Sequence, residues 1–256
     1  MSFSIATWNV NSLRVRLPHL TEWLAANPVD IVALQETKLP DADFPTAEIA
    51  ALGYQSVASG QKTYNGVAVL ARQPMVDVLT DIPGFDDPQR RVLATTVGDI
   101  RVINLYVPNG QAVGSEKFEY KLRWLAALRE WLVAEMARYP SLTVLGDFNI
   151  APADADVHDP AAWVGQNLVS EPERAALQAL LAIGLVDVFR QFEQPPALFS
   201  WWDYRQAAFR RNHGLRIDLI LASEALAARC RACVIDVEPR RAERPSDHTP
   251  VIAHFD

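Results

Sequence analysis

The run Leu142-Thr143-Val144-Leu145-Gly146-Asp147-Phe148-Asn149-Ile150-Ala151-Pro152 is apolar, partly β-branched and too short for a helix, so it reads as a buried strand. It ends by carrying a carboxylate and a carboxamide into a turn that Pro152 closes. Side chains alternate along an extended backbone, so Asp147 and Asn149 are expected on one side and Phe148 on the other, facing the core. The side with Asp147 and Asn149 is a candidate floor for a site. Asp and Asn are also ordinary turn formers at strand ends, so the weight of this reading comes from the rest of the chain.

Working outward, strand-like runs with polar residues at one end recur. Residues 3–11 lead from Ile5 into Asn9 and Asn11, again on one side. Ser12 is expected to cap a helix with Leu13, Leu17, Leu20 and Leu24 inward, stopped by Asn27 and Pro28. Residues 30–38 carry Ile31 to Leu34 into Gln35 and Glu36. Residues 66–70, 91–97 and 101–107 read as further strands, the last ending at Tyr106 and an abrupt Pro108-Asn109-Gly110 exit. Ser115 opens a long helix with Phe118, Leu122, Leu125, Leu128, Leu132 and Met136 inward. Ser170-Glu171-Pro172-Glu173 is a capping box for a helix that Gly184 ends. An aromatic stretch from Phe199 to Tyr204 and a cluster of Arg205, Arg210, Arg211, His213 and Arg216 precede a strand over residues 217–221. Asp247 and His248 precede the last strand, residues 251–254.

Half of the 256 residues are hydrophobic and 21% are charged, which describes an ordinary soluble globular chain with a large core. No linker, composition break or low-complexity tract divides it, and one domain over residues 1–256 is expected. With 24 Lys and Arg against 31 Asp and Glu, the net charge of −7 advertises neither a nucleic acid nor a membrane. An anionic substrate must then be met by local basic residues, a metal or backbone amides. The chain starts without the charged and apolar regions of a signal peptide, and no run approaches the ~18 apolar residues of a membrane span, so a cytoplasmic protein is expected. Cys230 and Cys233 have C-x-x-C spacing but no second pair to complete a zinc site. They lie in residues 225–234, read as a short Ala-rich helix leading into a strand, and are expected to be structural.

Six segments place a metal-capable or proton-moving group beside a strand end: Asn9, Glu36, Tyr106, Asp147 with Asn149, Asp218, and Asp247 with His248. Acids, amides and a His repeated at such places suggest convergence on one site. The donors are mostly oxygen, without a Cys or His pair at zinc spacing, which favours Mg²⁺ or Mn²⁺. Such a site fits metal-assisted hydrolysis of a phosphoester. Asp247 and His248 are neighbours that point apart in an extended chain, so His248 needs its orienting acid elsewhere. Asp218, the one acid in an apolar strand, is costly unless paired and is the candidate.

Together these residues resemble the exonuclease III family of Mg²⁺-dependent DNA-repair nucleases, within the larger endonuclease, exonuclease and phosphatase superfamily. The resemblance runs through Trp8-Asn9-Val10-Asn11, Leu34-Gln35-Glu36-Thr37-Lys38, Tyr64-Asn65-Gly66-Val67-Ala68, Tyr106-Val107-Pro108-Asn109-Gly110, Gly146-Asp147-Phe148-Asn149-Ile150-Ala151, Leu215-Arg216-Ile217-Asp218 and Ser246-Asp247-His248. It implies a four-layer α/β sandwich, two mixed sheets face to face with helices outside, and a site at one rim. It implies Glu36, Asn9, Asp247, Asp147 and Asn149 around the metal, Asp147 acting on the attacking water and Asn149 helping to place it. Asp218 would hold a protonated His248 against a phosphate oxygen, and Tyr106 would contact the same phosphate or the leaving oxygen.

Trp201, Leu215 and Ile217 match positions that form an apolar pocket for a base-less sugar in some relatives, with Arg205 and Arg216 as further substrate contacts. Arg210, Arg211, Arg240, Arg241 and Arg244 are candidate phosphate contacts as well. Asn11 stands where some relatives carry Asp. The implied partner is double-stranded DNA with abasic sites or 3′-end lesions, bound by a monomer that does not engage a membrane. The competing readings are a phosphoesterase of the same superfamily acting on small or lipid phosphoesters, and a non-catalytic binding module, which would lack a metal or water-activating residue.

Overall fold

The computed structural model describes residues 2–256. Its strands form two six-stranded sheets. The first runs β11 (Cys230–Ile235), β12 (Val251–Phe255), β1 (Phe3–Asn9), β2 (Ile31–Gln35), β4 (Val67–Ala71), β3 (Gln55–Ser59). The second runs β5 (Met75–Leu79), β6 (Val92–Val97), β7 (Ile100–Tyr106), β8 (Leu142–Asp147), β10 (Asp218–Ser223), β9 (Leu185–Asp187). Each is mixed: β1 and β2 are parallel, as are β7 and β8, and every other pairing is antiparallel.

Alternation along the strands builds the layers. Ile5, Ile31, Ala33, Val67 and Val69 of the first sheet meet Leu93, Val102, Leu145 and Ile220 of the second in one core. Ala6, Trp8, Val32 and Leu34 face outward onto Leu13, Leu20, Trp23 and Leu24 of the Leu13–Ala26 helix. Ile103, Leu105 and Val144 face the other way, onto the helices Glu116–Arg138 and Glu171–Leu181. Central strands covered on both sides read as continuous apolar runs, which is why they were legible. The result is the expected helix–sheet–sheet–helix sandwich.

The pairing brings the polar strand ends to one rim. Asn9 lies opposite Gln35 in the parallel β1–β2 pair, and Tyr106 opposite Asp147 in the parallel β7–β8 pair. β10 starts at the rim because it runs antiparallel to β8, with Asp218 opposite Asp147. β12 likewise runs antiparallel to β1, so the preceding Asp247 and His248 arrive at the same end. Beneath the rim Gln35 Nε2 donates to Asn104 Oδ1 at 2.7 Å, and Asn104 Nδ2 donates to the Leu34 and Ala68 carbonyls, tying one sheet to the other.

Ser12 does not cap the first helix: its backbone is left-handed (φ 88°), its side chain makes no capping bond, and its N–H goes to the Glu36 carbonyl at 2.7 Å. The turn from β1 into the helix is too tight for the extended backbone that an N-cap needs. Ser115 behaves as expected, accepting from the Phe118 N–H at 3.2 Å.

Candidate active site

β8 delivers Asp147, and the chain then turns through Asn149 in a left-handed conformation (φ 50°). The turn closes when the Asn149 N–H donates to Asp147 Oδ1 at 2.9 Å, while Phe148 is fully buried in the outer core. Glu36 also follows its strand in a left-handed conformation (φ 51°). Backbone of this kind costs about 1–3 kcal/mol per residue and clusters where side chains must be aimed.

The aim is convergent. Asn9 Nδ2 donates to Glu36 Oε1 and to Asp147 Oδ2, both at 2.9 Å. His248 Nδ1 lies 2.8 Å from Asp218 Oδ2, and its Nε2 lies 3.7 Å from Asp147 Oδ2. The acid that orients His248 is thus Asp218, as its strand position suggested, and Asp218 takes nothing from Arg216. Asn149 Nδ2 donates to the Val107 carbonyl at 3.0 Å, and Asn109 Nδ2 donates to Asn149 Oδ1 at 3.1 Å.

Burial pushes the Asp147 carboxyl up to about 7, His248 opposing that shift and the neighbouring Asp218 carboxylate adding to it. Burial alone would lower His248, but the carboxylates of Asp218 and Asp147 outweigh it and push the imidazole up to about 10. His248 is therefore protonated at neutral pH. Burial, then the charges of Glu36 and Asp147, hold the Tyr106 phenol well above its ordinary value, so it remains a proton donor.

Donor atoms of Glu36, Asp147 and His248 lie within 4.8 Å of one another. Around them three carboxylates (Glu36, Asp147, Asp218) face the cations Lys38 and His248, and buried Asp147 is reluctant to ionise. A hard divalent cation fits this surplus of negative oxygen. In the structure Asn9 spans the two carboxylates through its NH₂, while its oxygen accepts from the Asn11 N–H at 3.0 Å. Asp247 stands outside the converging set: Trp201 Nε1 holds it at 3.1 Å and Asn11 Nδ2 at 2.9 Å. Lys38, 2.9 Å from Glu36 Oε2, is a basic group at the site to which sequence reasoning gave no role. Its signal was the two-residue spacing from Glu36.

Leu215 and Ile217 join Trp201 in one apolar cluster with Val157 and Leu168, but both are fully buried and only Trp201 is partly exposed. Arg216 is a correction. It is buried, with Nε 2.6 Å from Asp156 and Nη2 2.7 Å from Asp187, because a guanidinium inside the protein must be paired; it offers no surface to a substrate. Arg205 is exposed and chelates Asp203. Arg240 is buried and donates to the Ser246 carbonyl, beneath the Asp247–His248 segment. Cys230 and Cys233 are buried thiols in β11 that form no disulfide.

Two mixed sheets with a rim of carboxylates, carboxamides and a carboxylate-held imidazolium define a sandwich hydrolase. The chain belongs to the endonuclease/exonuclease/phosphatase family, whose profile matches residues 6–248. It is 37% identical to exodeoxyribonuclease III of Haemophilus influenzae over 97% of this chain and 98% of that protein, which places it in the exonuclease III branch. A 3′ phosphatase from Neisseria, solved bound to a product DNA hairpin, superposes with a TM-score of 0.97 at 52% identity over 99% of each chain. An AP endonuclease from Archaeoglobus fulgidus superposes with a TM-score of 0.95 at 39% identity, again over 99% of each.

Proposed function

We propose that the protein is a DNA-repair nuclease that hydrolyses phosphoesters at abasic sites or 3′ ends of duplex DNA, working as a cytoplasmic monomer. The observation that carries this reading is the Asp147–His248–Asp218 line at the rim, in a chain of the exonuclease III branch.

Glu36 and Asp147 would hold Mg²⁺, with Asn9 and Asn149 beside them. Bound there, the ion would offset the charge of the reacting phosphate. The chain's own groups do the rest. Asp147 orients a water and takes its proton as the water oxygen attacks phosphorus in line. Asn149, fixed by Val107 and Asn109, helps place that water and the phosphate. The His248 imidazolium, held by Asp218, faces a non-bridging oxygen as negative charge grows there. The un-ionised Tyr106 phenol donates toward the phosphate or the leaving oxygen as the P–O bond breaks.

The test offers the purified protein three labelled duplexes, with and without EDTA: an internal abasic-site analogue, a 3′-phosphate at a nick, and a recessed 3′ end. Cleavage of at least one, abolished by EDTA and restored by Mg²⁺, is expected. Incision at the internal site identifies an abasic endonuclease; action only at the nick or recessed end identifies a 3′-end processing enzyme. Failure on all three duplexes, with hydrolysis of a lipid or inositol phosphoester instead, would overturn the reading.

A further inference from the structure

The apolar stripe of the long Glu116–Arg138 helix is interrupted by a lysine. Lys121 lies on the face that carries Phe118 and Leu125 and is fully buried. Its ammonium pairs with Glu173, also fully buried, and donates to the Asn149 carbonyl at 2.7 Å and the Asn109 carbonyl at 3.1 Å. A Leu or Met there would fill the same helix face without the cost of removing an ammonium from water. Buried ion pairs are weak contributors to stability, and apolar replacements of similar volume are often neutral or better. The pair therefore calls for an account other than stability.

The partners supply one. Asn149 and Asn109 are the two amides that meet at the rim, Asn109 Nδ2 on Asn149 Oδ1. Lys121 grips both from behind, at their backbone carbonyls. On its other side Glu173 accepts from the Leu168 N–H at 3.0 Å and the Ser170 N–H at 3.2 Å, fixing the end of the loop that follows the Asn149 turn. The fit is close: Gly110 is left-handed (φ +89°), and a Cβ there would lie 3.1 Å from Lys121 Cδ.

We infer that Lys121 and Glu173 are positioning residues for the hydrolytic reaction, a buried clamp that sets the Asn149 carboxamide against Asp147 and couples it to the 150–170 loop. This rests on the hydrolase reading of the rim. Misplacement of a reacting group by about 1 Å can cost on the order of 10²-fold in rate.

The same helix provides an internal control. Arg101 and Glu135 form a second buried pair, Nε to Oε2 at 2.7 Å, and Arg101 Nη1 reaches the Asp77 carbonyl, touching neither Asn149 nor Asn109. Lys121→Met, Lys121→Arg and the double variant Arg101→Met/Glu135→Leu are compared with the parent, by melting temperature and by kcat and KM on the nicked 3′-phosphate duplex. Lys121→Met is expected to lower kcat by on the order of 10²-fold with KM little changed, and Lys121→Arg, too large for the close space beside Gly110, to lower it as well. The Arg101/Glu135 variant shifts the melting temperature and leaves kcat within about threefold.

Combining Lys121→Met with Asn149→Ala, under single turnover with enzyme in excess, should cost little beyond Asn149→Ala alone, because the clamp acts through Asn149. Parental kcat in a folded Lys121→Met protein, or an equal loss with and without the Asn149 side chain, would overturn the clamp. A parent inactive on the duplex would instead overturn the DNA reading; the comparison then runs on bis-(p-nitrophenyl) phosphate.

Discussion

Asp147 shows at residue scale how a site residue opposes the fold that carries it. Its carboxyl is raised to about 7, so the folded chain resists the ionised form that the unfolded chain, with its ordinary carboxyl, takes up freely. The sign follows directly: in metal-free protein this group's contribution is lost as pH rises from about 4 towards 7. His248, raised to about 10, contributes stability below its ordinary value near 6.5 and loses it as pH climbs towards 10. Both slopes run the same way, so melting temperature in EDTA should fall from pH 5 to pH 9. Asp147→Asn removes the reluctant anion and keeps the shape. We expect this variant to melt higher than the parent at pH 8 in EDTA while its turnover drops by on the order of 10²-fold or more. Near-normal turnover, or a lower melting temperature at pH 8, would count against the assignment.

The elements differ in how far the sequence reveals them, and burial explains the difference. The central strands β1, β2, β4, β6, β7, β8, β10 and β12 are covered on both faces and announce themselves as apolar runs. Of the four edge strands, β3, β5 and β9 are short and mixed in polarity and were not set apart from loops, whereas β11 was read as a strand following a short helix. The pairing of Lys121 with Glu173 was likewise invisible, because it joins helices distant in sequence; Glu173 alone was legible, as the acid of the capping box. By contrast the six polar strand ends were legible: they interrupt apolar runs, and all six bring a group to the rim, the last through His248 while its neighbour Asp247 stands just outside.

One glycine in this frame is dictated by the pairing. Gly146 sits opposite Leu105 with φ +145°, and a Cβ there would lie 1.9 Å from the Leu105 carbonyl oxygen. Gly146→Ala must therefore part β7 from β8 just where they place Tyr106 and Asp147. A loss of about 3 kcal/mol or more in unfolding free energy is expected from urea denaturation. An unchanged midpoint would mean the pair tolerates the shift.

At the scale of the whole molecule, a chain of net charge −7 must approach a polyanion. Long-range attraction is unfavourable overall, so binding depends on local cations within roughly a Debye length, about 8–10 Å at physiological salt. Buried Arg216 and Arg240 serve the fold, and Arg205 and Arg241 are engaged by Asp203 and Glu238. Among the described residues Arg210, Arg211 and Arg244 are exposed and make no ion pair, and Arg210 and Arg211 end a short helix beside the Trp201–Tyr204 stretch. Each phosphate contact contributes a slope of about −0.9 to log K against log salt. Arg210→Ala/Arg211→Ala is therefore expected to flatten the salt dependence of duplex binding by roughly 2. The loss should be the same for abasic, nicked and recessed duplexes, because phosphate contacts position the strand without reading the lesion. The measurement is a salt titration of binding by fluorescence anisotropy in EDTA. If the slope stays at the parental value, these arginines lie off the DNA path; if affinity falls for only one duplex, they read the lesion rather than the backbone.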